Sequence, residues 1–184
     1  LLAPANMTIA RNLAKVYYEV DPVKGLEHWE NIIKMPGATL GDRIHLVNLA
    51  LKGATKAKAR SGNQKISLNS DRIYFLEIAR RQLVLLSRDH RFRERREFQM
   101  TKAEYLAEAG NPETALAEIQ KLRAKEDGQD PLIDLMFCRI AIRSNRTELV
   151  EEAALLLRKL AESKGPGAIE AIRHFSLVHL VRRL

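Results

Sequence analysis

Four times along the chain a small residue is followed by a bulky apolar residue four places on and by another three places later. The sets are Gly25/Trp29/Ile32, Ala79/Leu83/Leu86, Ala115/Ile119/Leu122 and Ala153/Leu157/Leu160. At 3.6 residues per turn the spacing puts all three residues on one helix face. There the small one admits a neighbouring helix and the large ones fill the groove beside it. Other segments share the period. Ala10, Leu13, Ala14, Val16 and Tyr17 predict a first helix, from about 5 to 20, and Val23, Leu26, Trp29, Ile32 and Ile33 a second. Leu40, Ile44, Val47 and Leu51 predict a third, and Ile73, Leu76, Ala79, Leu83 and Leu86 a fourth. Further helices are expected over 95–109, with Phe98, Ala103 and Leu106 on its periodic positions, over 113–125, 132–143 and 147–163, and from 168 onward. No segment alternates with period two for long enough to predict a strand.

Punctuation agrees with the period. Asp21-Pro22, Asn111-Pro112 and Asp130-Pro131 each pair a capping residue with a proline suited to the first helical turn. Thr39 and Asp42 have the spacing of a capping box. Pro36-Gly37, Gly110 and Gly165-Pro166-Gly167 break the chain between helices. After Leu51 the apolar pattern lapses: Lys52 to Ser70 holds five basic residues, no acids and two glycines. Its first half is read as continued helix and its second half as loop, with Asn69-Ser70-Asp71 capping the helix that follows.

Residues 101–131 resemble a tetratricopeptide repeat, a family that pairs two antiparallel helices in about 34 residues. Ala103 stands at the small position of the first helix, Gly110 at the turn, Ala115 at the small position of the second helix, and Ile119 and Leu122 at the packing positions after it. Asp130-Pro131 falls near the closing proline. Residues 6–37 are similar through Leu13, Val16, Gly25, Trp29, Ile32 and Pro36, and residues 131–164 through Cys138, Ala141, Ala153, Leu157 and Leu160. The small residues recur at intervals of 54, 36 and 38. The excess in the first interval is close to the length of the basic stretch.

The resemblance implies an all-α fold, a right-handed superhelix of about four antiparallel helical pairs plus a C-terminal capping helix. It forms one repeat domain over 1–184, with pairs at about 5–39, 40–95 (carrying an insertion at 52–70), 96–130 and 131–164 and a cap at 168–184. It also implies that first helices line a concave groove, with one of Tyr17 and Tyr18 facing it and the other packing. By periodicity alone an irregular helical bundle is the alternative.

Composition narrows the class. Hydrophobic residues make up 46% and aromatics only 5%, which favours helices over a β-sandwich. Cys138 is the single cysteine, so neither an intrachain disulfide nor a cysteine-built metal site can form. A lone thiol suits a reducing compartment such as the cytoplasm. Apolar runs fall short of the ~18 residues of a membrane span. The chain starts without Met and ends within an amphipathic run from Leu177 to Leu184, and it is read as an excerpt of a longer protein, leaving envelope attachment through other parts open.

Charge is unevenly placed. Of a net +8, the whole surplus lies between Lys52 and Glu97, where 13 Lys and Arg face 5 Asp and Glu; elsewhere the signs balance at 18 each. Arg80, Arg81, Arg88, Arg91, Arg93, Arg95 and Arg96 fall within 17 residues, with Phe92 interleaved. Arginine suits bidentate contact with carboxylate or phosphate. The bland alternative is a solvated face paired to Asp89, Glu94 and Glu97.

Chemistry is not evident. His28, His45, His90, His174 and His179 form no metal-binding spacing, no glycine run has the spacing of a phosphate loop, and Glu151/Glu152 read as solubilising charge. Cys138 sits among Leu135, Met136, Phe137 and Ile140 as a packing residue. No catalytic, cofactor or metal residue is assigned, and no enzyme activity is expected. The expected function is a scaffold for a protein or peptide partner, with Tyr17, Tyr18 and the seven arginines as candidate contact residues and the arginines favouring an acidic ligand. The alternatives are a polyanion surface for nucleic acid or acidic polysaccharide at 52–97, and a helical regulatory domain of a larger enzyme.

Overall fold

The computed structural model describes residues 4–60, 67–125, 130–144, 146–163, 165 and 167–181. Among them regular structure is entirely helical, and the fold is all-α. The helices group into two compact units, Leu1–Arg93 and Glu94–Leu184, divided at the arginine-rich junction. Unit one holds α1 (Pro4–Val20), α2 (Pro22–Ile32), α3 (Leu40–Arg60), α4 (Ser67–Ser87) and the short α5 (His90–Arg93). Unit two holds α6 (Arg96–Glu108), α7 (Pro112–Lys125), α8 (Pro131–Arg143), α9 (Thr147–Glu162) and α10 (Ala168–Val181). Of the expected turns and cap, residues 61–66, 126–129, 166 and 182–184 lie outside the described residues, as does the side chain of His179.

Every residue of the four triplets is buried. The caps form from local chemistry. Asp21 Oδ1 accepts from the N–H groups of Val23 and Lys24, at 3.1 and 3.2 Å, and Asp130 Oδ1 from those of Leu132 and Ile133, at 2.8 and 3.4 Å. Each satisfies donors that a helix start leaves unpaired, which stabilises by about 1 kcal/mol. Gly37, at φ +92°, turns the chain out of α2 toward α3 in a conformation that a side chain would resist.

In unit one each helix packs on the next in sequence. The α1–α2 pair is tight because Gly25 has no side chain: a Cβ there would stand 2.3 Å from the Tyr18 Cα. Tyr18 is 1% exposed, and its hydroxyl donates to Leu49 O on α3 at 2.7 Å. This corrects the expected register of α1. Met7, Ala14 and Tyr18 face the core, whereas Leu13 and Val16 are exposed. The helix carries two apolar stripes, and the close approach permitted by Gly25 selects the one containing Tyr18.

The first half of the basic stretch is helical as expected, and the helix after it starts earlier than expected. Lys52–Arg60 continue α3, and the next helix begins at Ser67, ahead of the expected cap at Asn69–Asp71. The periodic face persists in small residues: Leu51, Ala54 and Ala57 are buried, and a Cβ on Gly53 would reach 3.0 Å from Phe75 on α4. Much of the excess in the first interval is therefore two long helices of 21 residues each. On α4, Phe75 and Ile78 turn inward and the expected Ile73 faces solvent.

Unit two is built more evenly. Sequential helices pack, and α6, α8 and α10 also touch in order, so these helices lie side by side with α7 and α9 behind. Ion pairs register this row. Arg139 donates to Glu104 at 2.7 Å and Arg143 to Glu108, each joining α6 to α8 across 35 positions. Behind the row, Arg123 on α7 donates to Asp134 on α8 at 2.8 Å and to Glu152 on α9 at 3.1 Å, with its guanidinium 4.5 Å from the Phe137 ring centre.

Candidate functional site

The capping box forms as its spacing predicts. The Asp42 N–H donates to Thr39 Oγ1 at 3.3 Å, and the Thr39 N–H and hydroxyl both donate to Asp42 Oδ2 at 2.8 Å. A third partner joins from α1: Arg11 donates to both Asp42 oxygens at 2.8 Å. Burial raises the Asp42 pKa, but the Arg11 and Thr39 hydrogen bonds overcome it and hold the carboxyl at about 2. The start of α3 is thus pinned from two sides.

This fixed turn forms one wall of a cavity of about 400 Å³, open to solvent within unit one. The other wall is the end of α4 with α5. Leu40, Leu85, Leu86 and Phe92 supply apolar surface, and Arg43 and Asp89 polar groups. Leu85, 47% exposed, stands at the opening. Arg43 is half-buried and donates to Gln82 Oε1 at 3.2 Å and to Ile33 O at 3.4 Å. Both acceptors are neutral, so its charge meets no carboxylate in an ion pair among the described residues. Asp89 is engaged elsewhere: the Arg91 guanidinium donates to it at 2.7 Å and the Arg91 N–H at 3.0 Å, which lower its pKa to about 2. A concave apolar surface with one cation can seat an apolar side chain beside a carboxylate.

The arginines of the junction are divided between the two units, and most of them have partners. Arg80, Arg81, Arg88, Arg91 and Arg93 belong to unit one, Arg95 and Arg96 to unit two. Arg80 donates to Glu77 at 2.8 Å, Arg81 to Glu30 at 2.8 Å, Arg91 to Asp89, and Arg96 to Asp130. Arg93 and Arg95 also have partners. Arg88 is exposed directly before the cleft residue Asp89. Glu94 pairs with Lys125 on α7 at 3.5 Å.

The tyrosines divide between packing and exposure. Tyr18 is buried and is no contact residue; Tyr17 is 38% exposed and stacks on His28, ring centres 4.3 Å apart. Phe98 is buried as expected, and Phe92 lines the cleft. Arg43 went unnoticed in the sequence. The only signals near it were the capping box and Pro36-Gly37, which mark a rigid turn but not what it faces.

A second cavity of about 230 Å³ lies at the α1–α2 turn, lined by Glu19, Asp21, Lys56 and Asp71 among others. Among the described residues no group of His, Cys, Asp and Glu could hold a metal ion, and no helix is long and apolar enough to cross a membrane. Cys138 is fully buried; burial, with Asp134 nearby, pushes its thiol up to about 12. Compared with models of known families, with curated proteins and with solved structures, the chain shows no match.

Proposed function

We propose that the chain is a non-catalytic scaffold of tetratricopeptide-like helical pairs that binds an acidic protein segment through the unit-one cleft. The observation that carries this reading is Arg43, a half-buried guanidinium with neutral acceptors only, set among Leu40, Leu85, Leu86 and Phe92. The ligand is a short segment placing Leu or Phe next to Asp or Glu. Its apolar side chain enters the cleft and its carboxylate meets Arg43 from the open side. Supporting the repeat reading are the pairwise order of packing and the side-by-side row of α6, α8 and α10.

The polyanion reading is weakened by pairing. Arg80, Arg81, Arg91 and Arg96 each already hold an acidic side chain, so each would have to give up that partner to meet a phosphate. Fluorescence anisotropy with labelled peptides tests the proposal. A peptide with Phe between acidic residues binds, and replacing its acids by Asn and Gln weakens it. Arg43→Gln weakens binding about tenfold, the worth of one charge-assisted hydrogen bond. Undiminished binding by Arg43→Gln overturns the assignment. So does binding confined to nucleic acid with a steep salt dependence, which transfers the function to the basic surface.

A further inference from the structure

The register of α1 leaves an apolar stripe facing solvent. Ile9, Leu13, Val16 and Val20 are 63, 49, 63 and 82% exposed. Their spacing of four, three and four is that of a helix–helix seam. On a helical wheel the stripe lies roughly 140° from the buried face of Ala14 and Tyr18. Thr8, Asn12, Lys15 and Glu19 form a polar arc on one side, and the stacked Tyr17–His28 pair borders the other. No charged side chain interrupts the seam.

We propose that this stripe is a homodimer interface, in which α1 of one chain packs antiparallel on α1 of a second copy. The stripe is self-complementary under a two-fold axis. Placed antiparallel, Ile9 falls opposite Val20 of the second copy and Leu13 opposite its Val16, so that four apolar layers close with no residue left over. The opposed helix dipoles favour the same arrangement. Area supports a second copy as occupant. The stripe with Tyr17 offers roughly 500 Å², at the upper end of what a monomer leaves exposed. Two copies together bury roughly 1,000 Å², the lower bound for a specific interface. Three of the four residues are β-branched and already restricted in a helix, so packing them costs little side-chain freedom. A lipid surface is a poorer fit: a membrane-lying helix carries excess basic charge, whereas the charged residues of α1 are only Arg11, Lys15 and Glu19, and Arg11 is held by Asp42.

Sedimentation equilibrium of the 184-residue chain from about 1 to 200 µM tests the interface, a range that covers the micromolar dissociation constants of weak association. The expected result is a mass that doubles with concentration, and a dissociation constant at least tenfold weaker in Val16→Glu. Val16 is exposed, so the variant keeps its helical circular dichroism. Leu155→Glu, at a position 71% exposed on α9, leaves the dimer intact. An equimolar mixture of Ile9→Cys and Val20→Cys chains oxidises to the mixed disulfide, whereas either alone does not. A monomer at every concentration overturns the proposal, as does a dimer indifferent to Val16→Glu. Self-disulfides of Ile9→Cys overturn the antiparallel arrangement, and a monomer that adsorbs to anionic lipid vesicles through Val16 assigns the stripe to membranes instead. None of these variants touches the Arg43 cleft, so peptide binding and dimerisation fail independently.

Discussion

Gly25 meets Tyr18 backbone to backbone: a methyl group on Gly25 would stand 2.3 Å from the Tyr18 Cα and 2.5 Å from its nitrogen. Neither atom lies on a flexible side chain, so the α1–α2 pair must part to admit even alanine. Helix propensity alone would favour Gly25→Ala by up to about 1 kcal/mol. Overpacking opposes it by about 3 kcal/mol, and overpacking wins. Urea unfolding of Gly25→Ala should show a net loss of about 2 kcal/mol, with Ser in place of alanine no better. Tyr18→Phe, which removes only the hydroxyl donated to Leu49 O, should cost about 1 kcal/mol.

Acid should destabilise unit one in two stages. His45 has its pKa lowered by burial first and by Lys15 next, against a smaller opposing effect from Asp42. The unfolded chain therefore takes up a proton at His45 more readily than the folded one, and stability falls as pH drops below 6.5. Asp42 acts lower on the scale. Its folded pKa of about 2 lies below the ordinary 3.8, so its contribution is present above 3.8 and lost as pH falls toward 2. A shift of that size corresponds to about 2 kcal/mol. Urea midpoints measured from pH 7 to 3 check both. His45→Phe should flatten the upper slope and leave the lower one, and Asp42→Asn the reverse.

What could be read from the sequence was local. The triplets were legible because small-large-large spacing at helical period has one packing solution, and Asp21, Asp130 and the Thr39–Asp42 box because a cap bonds within its own turn. The face of α1 was not legible. Leu13 and Val16 are as apolar as Ala14 and Tyr18, and only Gly25 on another helix decides between the stripes. The helix beyond Leu51 was expected to continue, but its inward face was hidden for a different reason. Its buried side is made of Gly53, Ala54 and Ala57, too small to stand out against Lys52, Lys56 and Lys58. The cleft joins residues some 40 to 50 positions apart, so no periodicity in either segment marks Arg43.

Cys138 gives a probe of unit two. The side chain is fully buried, its Sγ lies 3.5 Å from Ala153 O, and its thiol titrates at about 12. Thiolate is the reactive form, so the folded chain should resist a thiol-specific disulfide reagent at pH 8. Reaction should proceed at the rate at which α8 and α9 separate, and be complete at once in urea. Fast stoichiometric labelling without denaturant would contradict the burial of this face.

The two ion pairs between α6 and α8 share one offset but should differ in weight. Glu104 and Arg139 keep side-chain exposures of 25 and 31%, so water replaces the lost partner when either is cut. Glu108 is 3% exposed, while Arg143 keeps 36%. Glu104→Ala should therefore cost less than about 1 kcal/mol, the range of solvent-reached pairs. Arg143→Ala should cost more, up to about 3 kcal/mol, because it takes the cationic partner from a buried carboxylate. Glu108→Ala should fall between them, since the arginine left behind can turn to solvent. A double-mutant cycle on Glu108 and Arg143 measured by urea unfolding checks the order. Equal costs for the two pairs would mean that burial of Glu108 does not control this row of helices.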